Sequence, residues 1–185
     1  VSGGDIWIGA DPGKTGGVVI LDGDGKYLAA TSMPIIGEGT KARWRVAGGV
    51  LLEWIDSVIT HRELRGAVVQ GFAIERVASM PHDGPTRAFR FGRATGALFM
   101  LAETQSWPIY EVSPKDWQSM FLRGYPKGPQ LKASIALAAA DRFPALANVL
   151  QLKKNWGLAD AALITEAARL IEDHRGASAR GTLTP

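Results

Sequence analysis

Residues 5–21, DIWIGADPGKTGGVVIL, set two apolar runs around a glycine-rich turn that starts at Asp11, and no other stretch constrains the fold as strongly. The second run is rich in β-branched residues, so the pattern reads as a β-hairpin. The turn signal DGDG at 22–25 and the short run YLAATSM at 27–33 extend it into an antiparallel meander. From Val46 to Thr60 apolar residues recur with helical spacing, and GAVVQGFAIE at 66–75 returns to strand chemistry, ending on Glu75. A helix with one basic and one apolar side fits Pro85 to Glu103, followed by a strand at 107–112. Ser113 and Pro114 mark the next helix start, 123–129 is loop, and helices follow at about 130–141 and 158–174. Three antiparallel strands followed by alternating helices and strands predict an α/β fold with a mixed sheet.

With 185 residues, 46% of them hydrophobic and 21% charged, the chain is expected to form one globular domain over 5–175, with a flexible polar tail at 176–185. It contains no cysteine, which excludes disulfides, thiolate zinc sites and a cysteine nucleophile and fits a reducing compartment. The absence of a signal-like start or a long apolar run gives a cytoplasmic expectation, with no membrane partner. A net charge of +3 permits a polyanionic partner but does not argue for one.

The string DPGKT at 11–15 resembles the end of a phosphate-binding P-loop, but the spacing fails: Gly9 leaves only three residues before Gly13, and a strand follows instead of a helix. Asp11 reads better as a carboxylate at the end of a strand, beside a tight turn that brings backbone close to a ligand. The plainer alternative is a turn aspartate bonded to its own backbone. Glu75 closes a second strand, and if the two strands are parallel neighbours the two acids converge. Close carboxylates repel unless a cation neutralises them, and hard oxygen ligands suit magnesium, with manganese as a substitute. Asp160 sits among Ala and Leu on an otherwise apolar helix, where its alternative role is to favour the helix dipole.

In order and spacing, IGADPG at 8–13, AIE at 73–75, FGRATGAL at 91–98, VSPKDW at 112–117, the Lys and Ser of KASIA at 132–136 and LADAALI at 158–164 resemble the RuvC-type Holliday-junction resolvases of the ribonuclease H-like superfamily, especially the phage-associated forms. The resemblance spans about residues 5–172. It implies a five-stranded mixed sheet with helices on both faces, a homodimer, and metal-dependent nicking of four-way or branched DNA. Asp11, Glu75 and Asp160 take the places of the metal-binding, catalytic acids. The family generally has a further Asp or His a few residues before the last acid; here the stretch is KKNWGLA at 153–159, and Asn155 is the nearest candidate ligand.

Two ions about 3.5–4 Å apart would activate the attacking water and stabilise the leaving 3′ oxygen. Lys132, and less directly Lys115, would set positive charge near the transition-state phosphate. Arg76, Arg87, Arg90, Arg93, Lys115 and Lys127 are the expected DNA contacts. Met80 and Phe89 are candidates for an apolar wedge between opened bases, while Phe72 is expected in the core. Gly92 and Gly96 would let the sheet or a second subunit approach closely. The expectation is thus a structure-selective endonuclease resolving branched DNA; the alternative is a catalytically weakened or silent branched-DNA-binding protein of the same fold. An ATP-using or sugar-kinase-like protein would need a second phosphate hairpin and usually a second domain.

Overall fold

The computed structural model describes residues 4–37, 44–62, 64, 66–76 and 84–181, with side chains up to residue 176. The opening meander forms as expected: β1 (Ile6–Ala10), β2 (Gly17–Asp22) and β3 (Tyr27–Ser32). A small separate ribbon of β4 (Ile35–Gly37) and β5 (Trp44–Val46) follows, which the sequence pattern did not announce. Then come α1 (Gly48–His61), β6 (Val69–Glu75), α2 (Pro85–Thr104), β7 (Ile109–Val112), α3 (Pro114–Phe121), α4 (Leu131–Arg142), the single turn α5 (Ala147–Leu150) and the long α6 (Trp156–Gly181).

The main sheet has the order β3-β2-β1-β6-β7, antiparallel through the meander and parallel from β1 to β6 to β7. Strand side chains alternate between its two faces. Trp7, Val19, Leu21 and Ala73 join the core beneath α3, α4 and α6, whereas Ile6, Ile8, Val18, Ile20, Phe72 and Ile74 join the core beneath α1 and α2. Phe72 is fully buried, as expected. The alternation puts an apolar set on each face, and helices cover both.

The glycines around the hairpin serve helix α6. A Cβ at Gly9 would fall 2.0 Å from Thr165 Oγ1, one at Gly17 would fall 2.4 Å from the Leu158 side chain, and one at Gly157 would fall 2.0 Å from the Thr15 carbonyl oxygen. Gly16 and Gly157 also form an isolated parallel bridge. At Gly9 and Gly17 glycine is required because a buried helix lies directly on the strands.

At the far end of the sheet α6 is tied down by charge. Glu166, fully buried, accepts hydrogen bonds from Arg142 and from Arg169 at 2.9 and 3.0 Å, and Arg169 also reaches Asp173 at 2.7 Å. The helix continues to Gly181, past the expected tail boundary, because its Ala and Arg residues favour helix and Glu172–Arg175 adds an i,i+3 pair.

Candidate active site at the ends of the parallel strands

β1 and β6 are parallel neighbours with Ala10 opposite Ile74, so the next residues, Asp11 and Glu75, leave the sheet side by side. Asp11 accepts a hydrogen bond from the Gly13 backbone N–H at 3.0 Å, the local turn bond weighed above, and its carboxylate also interacts with Asp160. Burial, then the Asp160 charge, pushes the Asp11 carboxyl up to about 6 against the Gly13 bond and Lys132. Burial, then the Asp11 charge, takes Glu75 up to about 7, opposed by a bond from the Trp117 indole.

Asp160 lies in the second turn of α6, whose first residues rest on the β1–β2 hairpin, and it is 4% exposed. Burial raises its carboxyl, and the charge and hydrogen bond of Lys132 oppose the rise. Lys132 enters from the first turn of α4 and donates to Asp160 Oδ2, while Oδ1 is buried without a hydrogen-bond partner. Burial pulls Lys132 down, but Asp160, Asp11 and Glu75 together hold it above its ordinary value. The four side chains thus interact electrostatically as one group. Among the described residues, however, no three Asp, Glu or His side chains are gathered closely enough to hold one ion.

Asn155 does not join this group. Its Nδ2 donates to the Val149 carbonyl at 2.9 Å, so the amide ties down the turn after α5, and a ligand role for this residue stays an expectation. One helical turn before Asp160, on the same face of α6, stands Gly157, whose contact with Thr15 and Gly16 leaves no room for a side chain.

The expected DNA-contacting residues divide. Lys115 and Lys127 line one cleft of about 450 Å³ between α3 and the start of α4, together with Ser119, Leu131 and Arg123, a cation that the sequence reading passed over. Arg76 lies on the other side, in a groove beside β7 with Arg175. On α2, Arg87 stacks on Phe91 and Arg93 on Phe89, and Arg93 also donates to the Trp44 carbonyl. Arg90 has a buried Nε without a hydrogen-bond partner. Phe89 is 67% exposed; Met80 lies outside the described residues. The residue most plainly missed is Trp117, whose indole N–H donates to Glu75 Oε1 at 3.1 Å; its only sequence signal is its position four residues after a helix cap.

A five-stranded mixed sheet with this order, carboxylates at the ends of its parallel strands and a long helix across its face, is a ribonuclease H-like architecture. No protein-family model matches the sequence, and no curated protein does either. Among solved structures, RuvC of T. thermophilus in complex with a Holliday junction substrate is similar over 88% of this chain and 91% of that one, with 18% identity and a TM-score of 0.53. A second Thermus thermophilus RuvC structure is similar over 88% and 92% of the two chains, with 18% identity and a TM-score of 0.48. The fold is of the RuvC type.

Proposed function

We propose that this protein is a metal-dependent endonuclease that resolves Holliday junctions and related branched DNA. The observation that carries the reading is the charge interaction that links Asp11, Glu75 and Asp160, from two parallel strand ends and a buried helix, with one another and with Lys132. Three partly or fully buried carboxylates with one lysine for compensation are costly to keep charged. A structural role does not account for this arrangement; a place for a cation does. The chemistry of the donors fits a hard divalent ion such as magnesium or manganese: all are carboxylate oxygens, and Asp160 Oδ1 is buried and unpartnered.

Asp11, Glu75 and Asp160, which as they stand are not gathered closely enough for one ion, would have to draw together to hold it, and the ion would supply charge neutralisation and a water of lowered pKa for in-line phosphodiester hydrolysis. Lys132, half-exposed, can turn from Asp160 to a substrate phosphate once the acids have another counter-charge. The cleft cation Lys115 lies on the helix that also delivers Trp117, and Arg123 and Lys127 lie on the loop that leads from it to the helix of Lys132; they would carry the backbone of the DNA strand toward the acids. Phe89 and Arg87 would meet the DNA on the other flank, and Phe89 is exposed enough to act as the wedge.

A homodimer matches the two-fold symmetry of a four-way junction. A Cβ at Gly92 or Gly96 would meet nothing within 4 Å, so these glycines are not needed for packing within one chain, and Met100 on the same helix is 61% exposed. This face of α2 is where a second copy would sit. The test of the reading is nicking of a synthetic four-way junction against a matched linear duplex, with and without magnesium. Asp11→Asn should abolish nicking while junction binding survives. If binding and nicking fall together, or if linear duplex is cut equally well, the reading is wrong.

A further inference from the structure

Trp117 is 1% exposed and among the largest fully buried side chains, yet its one polar atom faces a carboxylate and not the core. An indole N–H can only donate, and it has no accessible acid–base chemistry of its own. The route by which it reaches Glu75 is short. Val112 of β7 pairs in register with Glu75, Ser113 follows and caps α3 by accepting from the Asp116 N–H at 3.1 Å, and Trp117 comes round one turn later. The strand that neighbours Glu75 therefore leads straight into the helix whose Trp117 grips it, and the cap fixes the angle at which the indole arrives. The same helix lines the basic cleft through Lys115 and Ser119.

We infer that Trp117 is a positioning residue for Glu75: it holds Oε1 by a fixed buried donor, so that Oε2 is presented toward Asp11 and Asp160 in one orientation. This rests on the nuclease reading above and deepens it. A glutamate at the end of a strand has three side-chain torsions to fix before it can bind an ion, and that ordering costs affinity unless it is already done. Outer hydrogen bonds to a ligating carboxylate are worth roughly 10- to 100-fold in metal affinity or activity.

The test compares wild type, Trp117→Phe and Leu146→Ala. Leu146 lies in the same core cluster but on the turn before α5, so its truncation reports loss of packing alone. Calcium binding by calorimetry, without DNA, should weaken about 10-fold in Trp117→Phe and stay within twofold in Leu146→Ala at a matched loss of melting temperature. Nicking by Trp117→Phe should show a lower kcat with an unchanged KM for the junction. Added to Glu75→Gln, the Phe substitution should change calcium affinity no further. If Trp117→Phe does not fold, indole N–H resonances of proteins that keep all six tryptophans decide the question. Glu75→Gln should shift one indole signal, and calcium should shift the same one in wild type. Equal calcium affinity in wild type and Trp117→Phe, or six indole signals unmoved by Glu75→Gln, would overturn the inference and leave the nuclease reading standing. A wild-type protein that takes up no divalent ion would overturn both.

Discussion

Lys132 donates a hydrogen bond to one oxygen of Asp160 while the other oxygen of that carboxylate is buried with no partner. The lysine thus stands where a second positive charge would compete with it, and the two roles given to it have opposite signatures. Lys132→Met removes the competitor, so calcium should bind more tightly. It also removes a charge from the transition-state phosphate, so kcat for junction nicking should fall about 100- to 1,000-fold. Junction affinity should change little. Calorimetry and single-turnover cleavage check the pair of effects; a variant that loses ion binding would mean the lysine only orders Asp160.

The raised carboxyls give the metal-free protein a defined pH dependence. Folded Asp11 and Glu75 keep their protons to about 6 and about 7, whereas the unfolded chain loses them near 4. The folded state therefore binds more protons between these values, and this contribution to stability, complete below about pH 4, is lost as pH rises to about 7. In EDTA, Asp11→Asn and Glu75→Gln should each melt about 3–6 °C above wild type at pH 8, and the gap should close toward pH 4. Calcium at pH 8 should raise the wild-type melting temperature and leave Asp11→Asn nearly unchanged. Scanning calorimetry at several pH values is sufficient, and a gap that widens toward low pH would contradict the assignment of cause.

Much of this site could be read in advance because its logic is local. A carboxylate closing an apolar strand run, as Glu75 does after FAI, is conspicuous without any fold, and parallel pairing of β1 with β6 then aligns it with Asp11. The α3 start was equally legible, since Ser113 and Pro114 carry the cap in two residues. What escaped depends on contacts between distant segments. Nothing near residues 9–17 says that Gly9 answers to Thr165 and Gly17 to Leu158. Trp117 reads as core by composition, and only the folded chain turns its N–H toward a residue 42 positions away. Glu166 likewise looks like one more charge on a helix until Arg142 and Arg169 close over it.

The cleft cations should act on binding and not on chemistry. Among the described residues Lys115, Arg123 and Lys127 form no ion pair, so their replacement breaks no salt bridge of the fold. Arg123→Ser and Lys127→Ser should each weaken junction binding about 3- to 10-fold and lower the slope of log affinity against log salt by about 1, equally for different sequences. Melting temperatures should be unchanged. Fluorescence anisotropy over a salt series measures the slopes, and slopes equal to wild type would remove the cleft from the DNA path.

Asn155 and Gly157 lead to the last prediction. An added carboxylate in this stretch would strengthen ion binding only if it could face Asp160, since divalent affinity grows with ligand charge. Gly157 occupies the helix position that does so, but a Cβ there would lie 2.0 Å from the Thr15 carbonyl oxygen, so no substitution fits without moving the hairpin that carries Asp11. Asn155 already carries a side chain of nearly the same size, but its Nδ2 donates to the Val149 carbonyl at 2.9 Å. In Asn155→Asp that donor becomes an acceptor facing another acceptor, which costs about 1 kcal/mol at this exposed turn and rotates the new carboxylate away from Val149. The magnesium concentration for half-maximal nicking should therefore match wild type, with melting lowered by about 2–4 °C. Gly157→Asp should be destabilised far more and lose nicking with it. Metal titrations of the three proteins on one junction, each paired with a melting curve, test this. A midpoint shifted to lower magnesium in Asn155→Asp would mean that the turn after α5 opens when DNA binds and swings residue 155 toward the acids.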